Sequence, residues 1–132
     1  MSEGMKQFFT REKANEGTKV PLAHPDGTAT EFYLVIRSQW SDAFQQAKQD
    51  AYRQDLEALA KEQEVDSAER HVRLCAVLVA DWNLPEEFTE ENVKTLLREA
   101  PQLRDMIDRH ASRDARFFRK PSTDSTSGRK KK

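Results

Sequence analysis

The densest apolar pattern lies in the second half of the chain. Nearly every position from Val72 to Trp82 is apolar, and a helix that is apolar on all sides is surrounded by protein. Asp66 can cap its first turn, with Glu69 three residues on as in a capping box. The pattern therefore predicts a central helix over 66–82, which is too short to span a membrane.

Two shorter amphipathic helices are predicted to follow the central helix. Thr89 is a good N-cap and is followed by two glutamates, which favours a helix over 89–99. Pro101 is favoured at the first position of a helix, so a second helix is predicted over 101–118. The chain is expected to bend between them, at Ala100.

A β-hairpin is predicted over residues 18–38. The Pro-Asp-Gly sequence at 25–27 favours a turn because Pro presets φ, Asp bonds nearby amides and Gly accepts a positive φ. The second strand is rich in β-branched and aromatic residues, with Phe32, Leu34 and Ile36 on one face. Since a lone hairpin is only marginally stable, this one must pack on helices or join strands of another subunit.

A long charged helix is predicted over about 41–64, with Ser41 as its N-cap. Its apolar stripe is narrow and rich in alanine. Such a stripe can pack closely within the monomer, or it can remain partly exposed for a partner. The stripe consists of Phe44, Ala47, Ala51, Tyr52, Leu56, Leu59 and Ala60.

Together these elements predict a mainly helical α+β protein, in which an N-terminal β-hairpin packs on a small bundle of about four helices. Residues 1–17 are predicted to be a partly flexible arm, and 18–118 a single domain. Residues 119–132 contain six basic residues, one acid and no apolar residue. They are therefore predicted to be a disordered basic tail.

The charge is divided unevenly along the chain. The formal net charge of −1 separates into about +5 in the basic tail and about −6 in residues 1–118. A nucleic-acid-binding domain would carry its basic residues on a folded face, so no specific nucleic-acid partner is expected. A single cysteine and the absence of a secretion signal favour the cytoplasm.

No catalytic constellation is apparent in the sequence. There is no glycine-rich phosphate loop and no paired-cysteine metal site. His71 and Cys75 stand four residues apart, but the cysteine lies in the most apolar helix, which favours an inert structural role. His110 and Asp114 have the same spacing, which usually marks a solvated helix contact. No enzymatic activity, cofactor or metal is therefore expected.

Several short sequences follow one another at close spacing after the Pro-Asp-Gly turn. They are SDAF at 41–44, VADWNL at 79–84, FTEENV at 88–93, LL at 96–97, PQLR at 101–104 and FF at 117–118. In this combination, over residues 8–118, the chain resembles the tail assembly chaperones of long-tailed bacteriophages and prophages.

The resemblance implies a non-enzymatic role in the bacterial cytoplasm. Chaperones of this family bind the tape measure protein, keep its coiled-coil-prone segments soluble and help recruit tail tube subunits. They self-associate and leave before the virion is complete. Many are also made in a longer form by a programmed ribosomal frameshift, and the lysines at 130–132 have adenine-rich codons that would suit a slippery site.

Two surfaces are predicted to carry these contacts, although the same residues could instead complete the monomer core. The predicted partner-binding residues are Phe44, Ala47, Ala51, Leu56 and Leu59. The predicted self-association residues are Phe32, Leu34 and Ile36. Two other functions stay open: a structural head–tail adaptor or minor tail protein, and a small nucleic-acid-binding regulator that uses the basic tail.

Overall fold

The computed structural model describes residues 4–118, which form a mainly helical α+β fold as predicted. Six helices and a three-stranded antiparallel sheet lie within this range. The helices are α1 (Arg11–Glu16), α2 (Asp42–Ala60), α3 (Ser67–Leu78), α4 (Glu90–Glu99), α5 (Pro101–Ala111) and α6 (Asp114–Phe118), and the strands are β1 (Thr18–Ala23), β2 (Ala29–Ile36) and β3 (Val79–Trp82). The predicted disordered tail lies outside the described residues.

The predicted hairpin is formed by β1 and β2, which pair antiparallel with Val20 opposite Leu34. Its turn uses the residues that predicted it. The carboxylate of Asp26 accepts a hydrogen bond from the Thr28 amide at 2.9 Å, and Gly27 has a φ of +94°. Only a residue without a side chain adopts that backbone conformation at little cost, so the local sequence determines the turn.

The central helix ends earlier than predicted. α3 stops at Leu78, and Val79–Trp82, predicted as its last turn, forms β3 antiparallel to β2, with Leu34 opposite Trp82. Valine and tryptophan are good strand formers. In β3 their backbone groups form hydrogen bonds with those along the second edge of β2. The apolar run is therefore divided between a helix and a strand.

Three predicted helix starts are confirmed by their caps. The side chains of Ser41, Asp66 and Thr89 each accept a hydrogen bond from the backbone amide three residues on, at 3.4, 3.1 and 3.1 Å. Glu69, predicted as part of a capping box, pairs its carboxylate with Arg98 at 2.6 Å. This ion pair joins α3 to α4.

Two helices end before their predicted ends. α2 ends at Ala60 rather than near residue 64, because Glu62 takes a left-handed φ of 55° and the Gln63 amide bonds back to the Ala58 carbonyl. This pattern is a Schellman motif. The predicted helix over 101–118 is divided into α5 and α6, because the Ala111 carbonyl accepts a hydrogen bond from the Gln39 amide at 3.0 Å.

The hydrophobic core lies where α3, α4 and α5 pack against the sheet. Its fully buried side chains include Leu34 and Ile36 of β2 and Leu97 of α4. The remaining members of the cluster are Val20, Val72, Cys75, Leu78, Val79, Trp82, Val93, Ile107 and Ala111. No helix among the described residues combines the length and the apolar character that a bilayer crossing requires.

The N-terminal arm joins the folded domain at α1. Ala14 is fully buried, and its carbonyl accepts a hydrogen bond from the Ser38 amide at 3.2 Å. Asn15 accepts one from the Asp42 amide at 2.8 Å, and Arg11 pairs with the Asp42 carboxylate at 2.9 Å. Packing of the domain therefore begins inside the segment predicted as an arm, while the flexibility of that arm stays a prediction.

Candidate functional site

The residues predicted to bind a partner all lie on α2, but they occupy two sides of it. Phe44 and Ala47 are half-buried, and Ala51 is only 6% exposed where α2 packs on α3. Leu56 and Leu59 are 49% and 73% exposed. The alanine side of α2 therefore joins the domain, whereas the side that carries the leucines faces solvent.

The solvent-facing side of α2 carries an apolar ridge, the α2 ridge, formed by Tyr52, Leu56 and Leu59. Tyr52 is 64% exposed. Spacings of four and three residues place the three side chains on one face of the helix. Tyr52 was missing from the predicted contact residues, although its position in the same apolar stripe could have identified it.

A groove of about 480 Å³ opens between α2, α3 and α4. Ala47 and Ala51 line its α2 side, Leu74 and Val77 its α3 side, and Val93 its α4 side. The small alanine side chains leave room between the helices. The structure therefore gives the alanine part of the predicted stripe a second role as one wall of an apolar groove.

Charged side chains of both signs surround this groove. Arg73 donates a hydrogen bond to Gln54 at 2.7 Å, and Lys94 pairs with Glu90 at 2.8 Å. The Lys94 ammonium holds the pKa of the Glu90 carboxyl below its ordinary value. An apolar groove with a charged rim suits an apolar side chain of a partner when the residues next to that side chain are polar.

The predicted self-association residues lie in the central strand of the sheet. Leu34 and Ile36 have no exposed surface, so their side chains cannot reach a second subunit from this fold. Both edges of β2 are already paired, one with β1 and one with β3. Phe32 is half-buried. Self-association through this strand stays a prediction in which, of the three residues, only Phe32 retains exposed surface.

The structure brings a third polar group to the predicted His71–Cys75 pair. Asp108 of α5 lies with Oδ2 2.5 Å from His71 Nε2, and its Oδ1 accepts a hydrogen bond from Cys75 Sγ at 3.4 Å. Burial, reinforced by the Asp108 charge, raises the pKa of the Cys75 thiol. A nucleophilic cysteine needs the opposite shift. The arrangement therefore does not activate the thiol, and Asp108 was missed because it belongs to a different helix.

The other predicted i,i+4 pair is divided between two helices, with His110 in α5 and Asp114 in α6. His110 Nε2 lies 2.6 Å from the Thr18 hydroxyl, whereas the Asp114 carboxylate accepts a hydrogen bond from the Trp40 indole at 3.0 Å. Each residue thus links a C-terminal helix to a segment from the first third of the chain.

Acidification is expected to destabilise the fold through His110. Burial lowers the pKa of His110, and the nearby Arg116 and Arg113 charges lower it further. The unfolded chain therefore binds a proton at this histidine more readily than the folded chain does. The contribution of the neutral histidine to stability is complete above its ordinary pKa of about 6.5 and is lost as the pH falls through the folded pKa. Between about pH 8 and about pH 5, the melting temperature of His110→Gln should fall less steeply than that of the wild type. Equal slopes would contradict this expectation.

The described residues form a small helical domain with an exposed apolar ridge and an open groove, the features of a protein-binding module. A family model described as phage tail assembly chaperone matches residues 7–113, and the chain belongs to this family. The predicted resemblance is therefore confirmed. Comparisons with curated proteins and with solved structures gave no match. Family membership supports a role as a tail assembly chaperone and suggests that this role is non-enzymatic.

Proposed function

We propose that this protein is a phage tail assembly chaperone that binds the tape measure protein, keeps it soluble and helps recruit tail tube subunits during tail morphogenesis. The observation that carries the proposal is the α2 ridge. Three large apolar side chains are exposed on one helix face, and none of them belongs to the hydrophobic core cluster. An exposed apolar surface of this kind on a soluble protein typically serves an interaction.

The spacing of the α2 ridge fits a helical partner. Positions i, i+4 and i+7 are the anchors by which one amphipathic helix packs on another. The proposed partner contains coiled-coil-prone segments, whose apolar residues repeat along one face of each helix. Packing of such a face on the ridge would cover apolar surface on both proteins and so prevent aggregation of the partner.

The groove between α2, α3 and α4 offers a second anchor for the same partner. Its volume of about 480 Å³ is large enough for a bulky apolar side chain. The rim carries charged side chains of both signs that can pair with charges flanking this side chain, namely Asp50, Arg73, Glu90 and Lys94. Such rim charges contribute more to the orientation of the partner than to affinity.

The proposal includes a place and a time of action. The protein would work in the cytoplasm of the infected or lysogenic bacterium, self-associate there, and be absent from the finished virion. A head–tail adaptor or minor tail protein would instead remain in purified virions. Mass spectrometry of purified particles therefore distinguishes these functions, and stoichiometric recovery of this chain would favour the adaptor.

Placing a charge on the α2 ridge is expected to abolish the solubilisation of the tape measure protein. Leu56→Glu and Leu59→Glu each put a carboxylate where the partner would bury an apolar side chain, which should weaken binding at least about tenfold. Both side chains are exposed, so the melting temperature should change little. The measurement is the soluble fraction of tape measure protein after co-expression, together with co-elution in size exclusion.

Ala43→Glu provides a control for Leu56→Glu and Leu59→Glu. It adds the same charge to the same helix, at an exposed residue that lies nine positions before Tyr52 and so on the side of α2 opposite the α2 ridge. This variant should keep the tape measure protein as soluble as the wild type does. If the wild type itself does not improve that solubility, the proposed function fails. If the Leu59→Glu and Ala43→Glu variants behave alike, the ridge is not the contact surface.

A further inference from the structure

We propose that His71, Cys75 and Asp108 bind a divalent transition-metal ion, with Zn²⁺ as the best fit, and that this ion joins α3 to α5. One ligand atom from each residue lies within 4.8 Å of the other two. His71 and Cys75 lie one turn apart on α3 and so face the same way. Asp108 completes the set from α5. The inference is independent of the proposed function.

One of the two contacts with the Asp108 carboxylate already has the separation found in a tetrahedral zinc centre, and the other, to its second oxygen, must lengthen. Zinc bonds of about 2.0–2.3 Å place the ligand atoms about 3.3–3.8 Å apart. Cys75 Sγ and Asp108 Oδ1 are already separated by 3.4 Å. The 2.5 Å contact between His71 Nε2 and Asp108 Oδ2 is a hydrogen bond, which must open by about 1 Å as the ion replaces the bridging proton.

The protons balance in this exchange. Binding replaces the S–H bond of Cys75 by a bond from thiolate to metal, and the proton goes to solvent. His71 offers the Nε2 lone pair in the tautomer that carries its proton on Nδ1. Asp108 binds as the carboxylate. One proton is released per ion bound to the neutral histidine.

The donor set and its exposure decide which ion fits. A sulfur, a nitrogen and an oxygen ligand suit Zn²⁺, whereas Mg²⁺ and Ca²⁺ prefer oxygen alone. Cys75 is fully buried, while the side chains of His71 and Asp108 are 34% and 49% exposed. An ion can therefore enter from the solvent side, and water can supply the fourth ligand.

The nearby charges act in opposite directions on a cation. The Asp105 carboxylate adds to the negative charge of Asp108, while the Arg104 guanidinium opposes it. Arg104 is held in place, since its Nη1 donates a hydrogen bond to the Leu97 carbonyl at 3.0 Å. The two carboxylates together outnumber the one cation beside the thiol, which favours an incoming divalent ion.

The test uses the full chain, first treated with EDTA and then titrated with Zn²⁺ in a calorimeter and with Co²⁺ in an absorption spectrometer. We expect one ion per chain, a thiolate-to-cobalt charge-transfer band, no competition from Mg²⁺, and a higher melting temperature with Zn²⁺. Cys75→Ser should remove the cobalt band. Both Cys75→Ser and His71→Asn should weaken Zn²⁺ binding by about 100-fold or more.

His24→Asn is the matched control, because His24 lies in the β1–β2 turn, far along the chain from this cluster. It should bind Zn²⁺ as the wild type does. If Cys75→Ser does not fold, the half-exposed His71 allows its variant to decide the question. The proposal is wrong if the wild type binds no Zn²⁺, or if His71→Asn binds it as tightly. The three side chains would then form only a hydrogen-bonded link between two helices.

Discussion

Replacing Leu34 with alanine is expected to lower the free energy of unfolding by about 2–5 kcal/mol. Leu34 has no exposed surface and lies in the central strand, opposite Val20 of β1 and Trp82 of β3. The truncation removes buried apolar area and leaves a cavity that three elements would have to close. Urea unfolding followed by circular dichroism measures the loss. Glu31→Ala, at an exposed position of the same strand, should change the stability by no more than about 0.5 kcal/mol.

The concentration dependence of this effect distinguishes a core residue from an interface residue. A loss that arises within one chain is independent of protein concentration, whereas a loss at a subunit interface varies with it. We expect the difference in the free energy of unfolding between Leu34→Ala and the wild type to be the same across a hundredfold range of protein concentration. If Leu34→Ala instead gave a folded monomer with an unchanged free energy of unfolding, the prediction that Leu34 mediates self-association would stand again.

Local sequence signals were sufficient for the elements whose determinants lie within a few residues. The caps at Ser41, Asp66 and Thr89, the proline at the start of α5 and the turn before Thr28 all formed as predicted. In each case the side chain that gives the signal also makes the bond that stabilises the element, or, for the proline, fixes the backbone angle that the helix needs. This is why the fold class and most helix starts could be predicted.

Distant contacts account for the features that the sequence did not predict. A short apolar run suits a helix and a strand equally well, and the division at Leu78 depends on pairing with β2, more than forty residues earlier. The break after α5 depends on Gln39, which bonds to the Ala111 carbonyl. Neither partner can be recognised from the local pattern.

The candidate binding surface was predictable in part for the same reason. The helical period places Ala51 and Leu56 on one broad stripe. It does not tell which edge of that stripe packs on α3, and this packing decides that Ala51 is buried while Leu56 and Leu59 are exposed. Asp108 joins His71 and Cys75 only through the packing of α5 on α3, so no helical spacing could identify it.

Replacing Gly17 with alanine is expected to lower the free energy of unfolding by about 2–4 kcal/mol, from backbone strain and overpacking together. Gly17 has a φ of +81°, which a side chain disfavours. A Cβ at this position would also lie 2.7 Å from the backbone carbonyl oxygen of Ile36. That oxygen belongs to the central strand and cannot move without disturbing the sheet. Chemical denaturation of the purified variant measures the loss.

Substitutions at two other glycines distinguish backbone strain from overpacking. Gly27 has a φ of +94°, but a Cβ added there would have no neighbouring atom within 4 Å, so Gly27→Ala should cost only the backbone strain, about 1–2 kcal/mol. Gly4 has neither feature, and Gly4→Ala should leave the stability unchanged. If Gly17→Ala costs no more than Gly27→Ala, the junction of α1 and β1 can move away from β2.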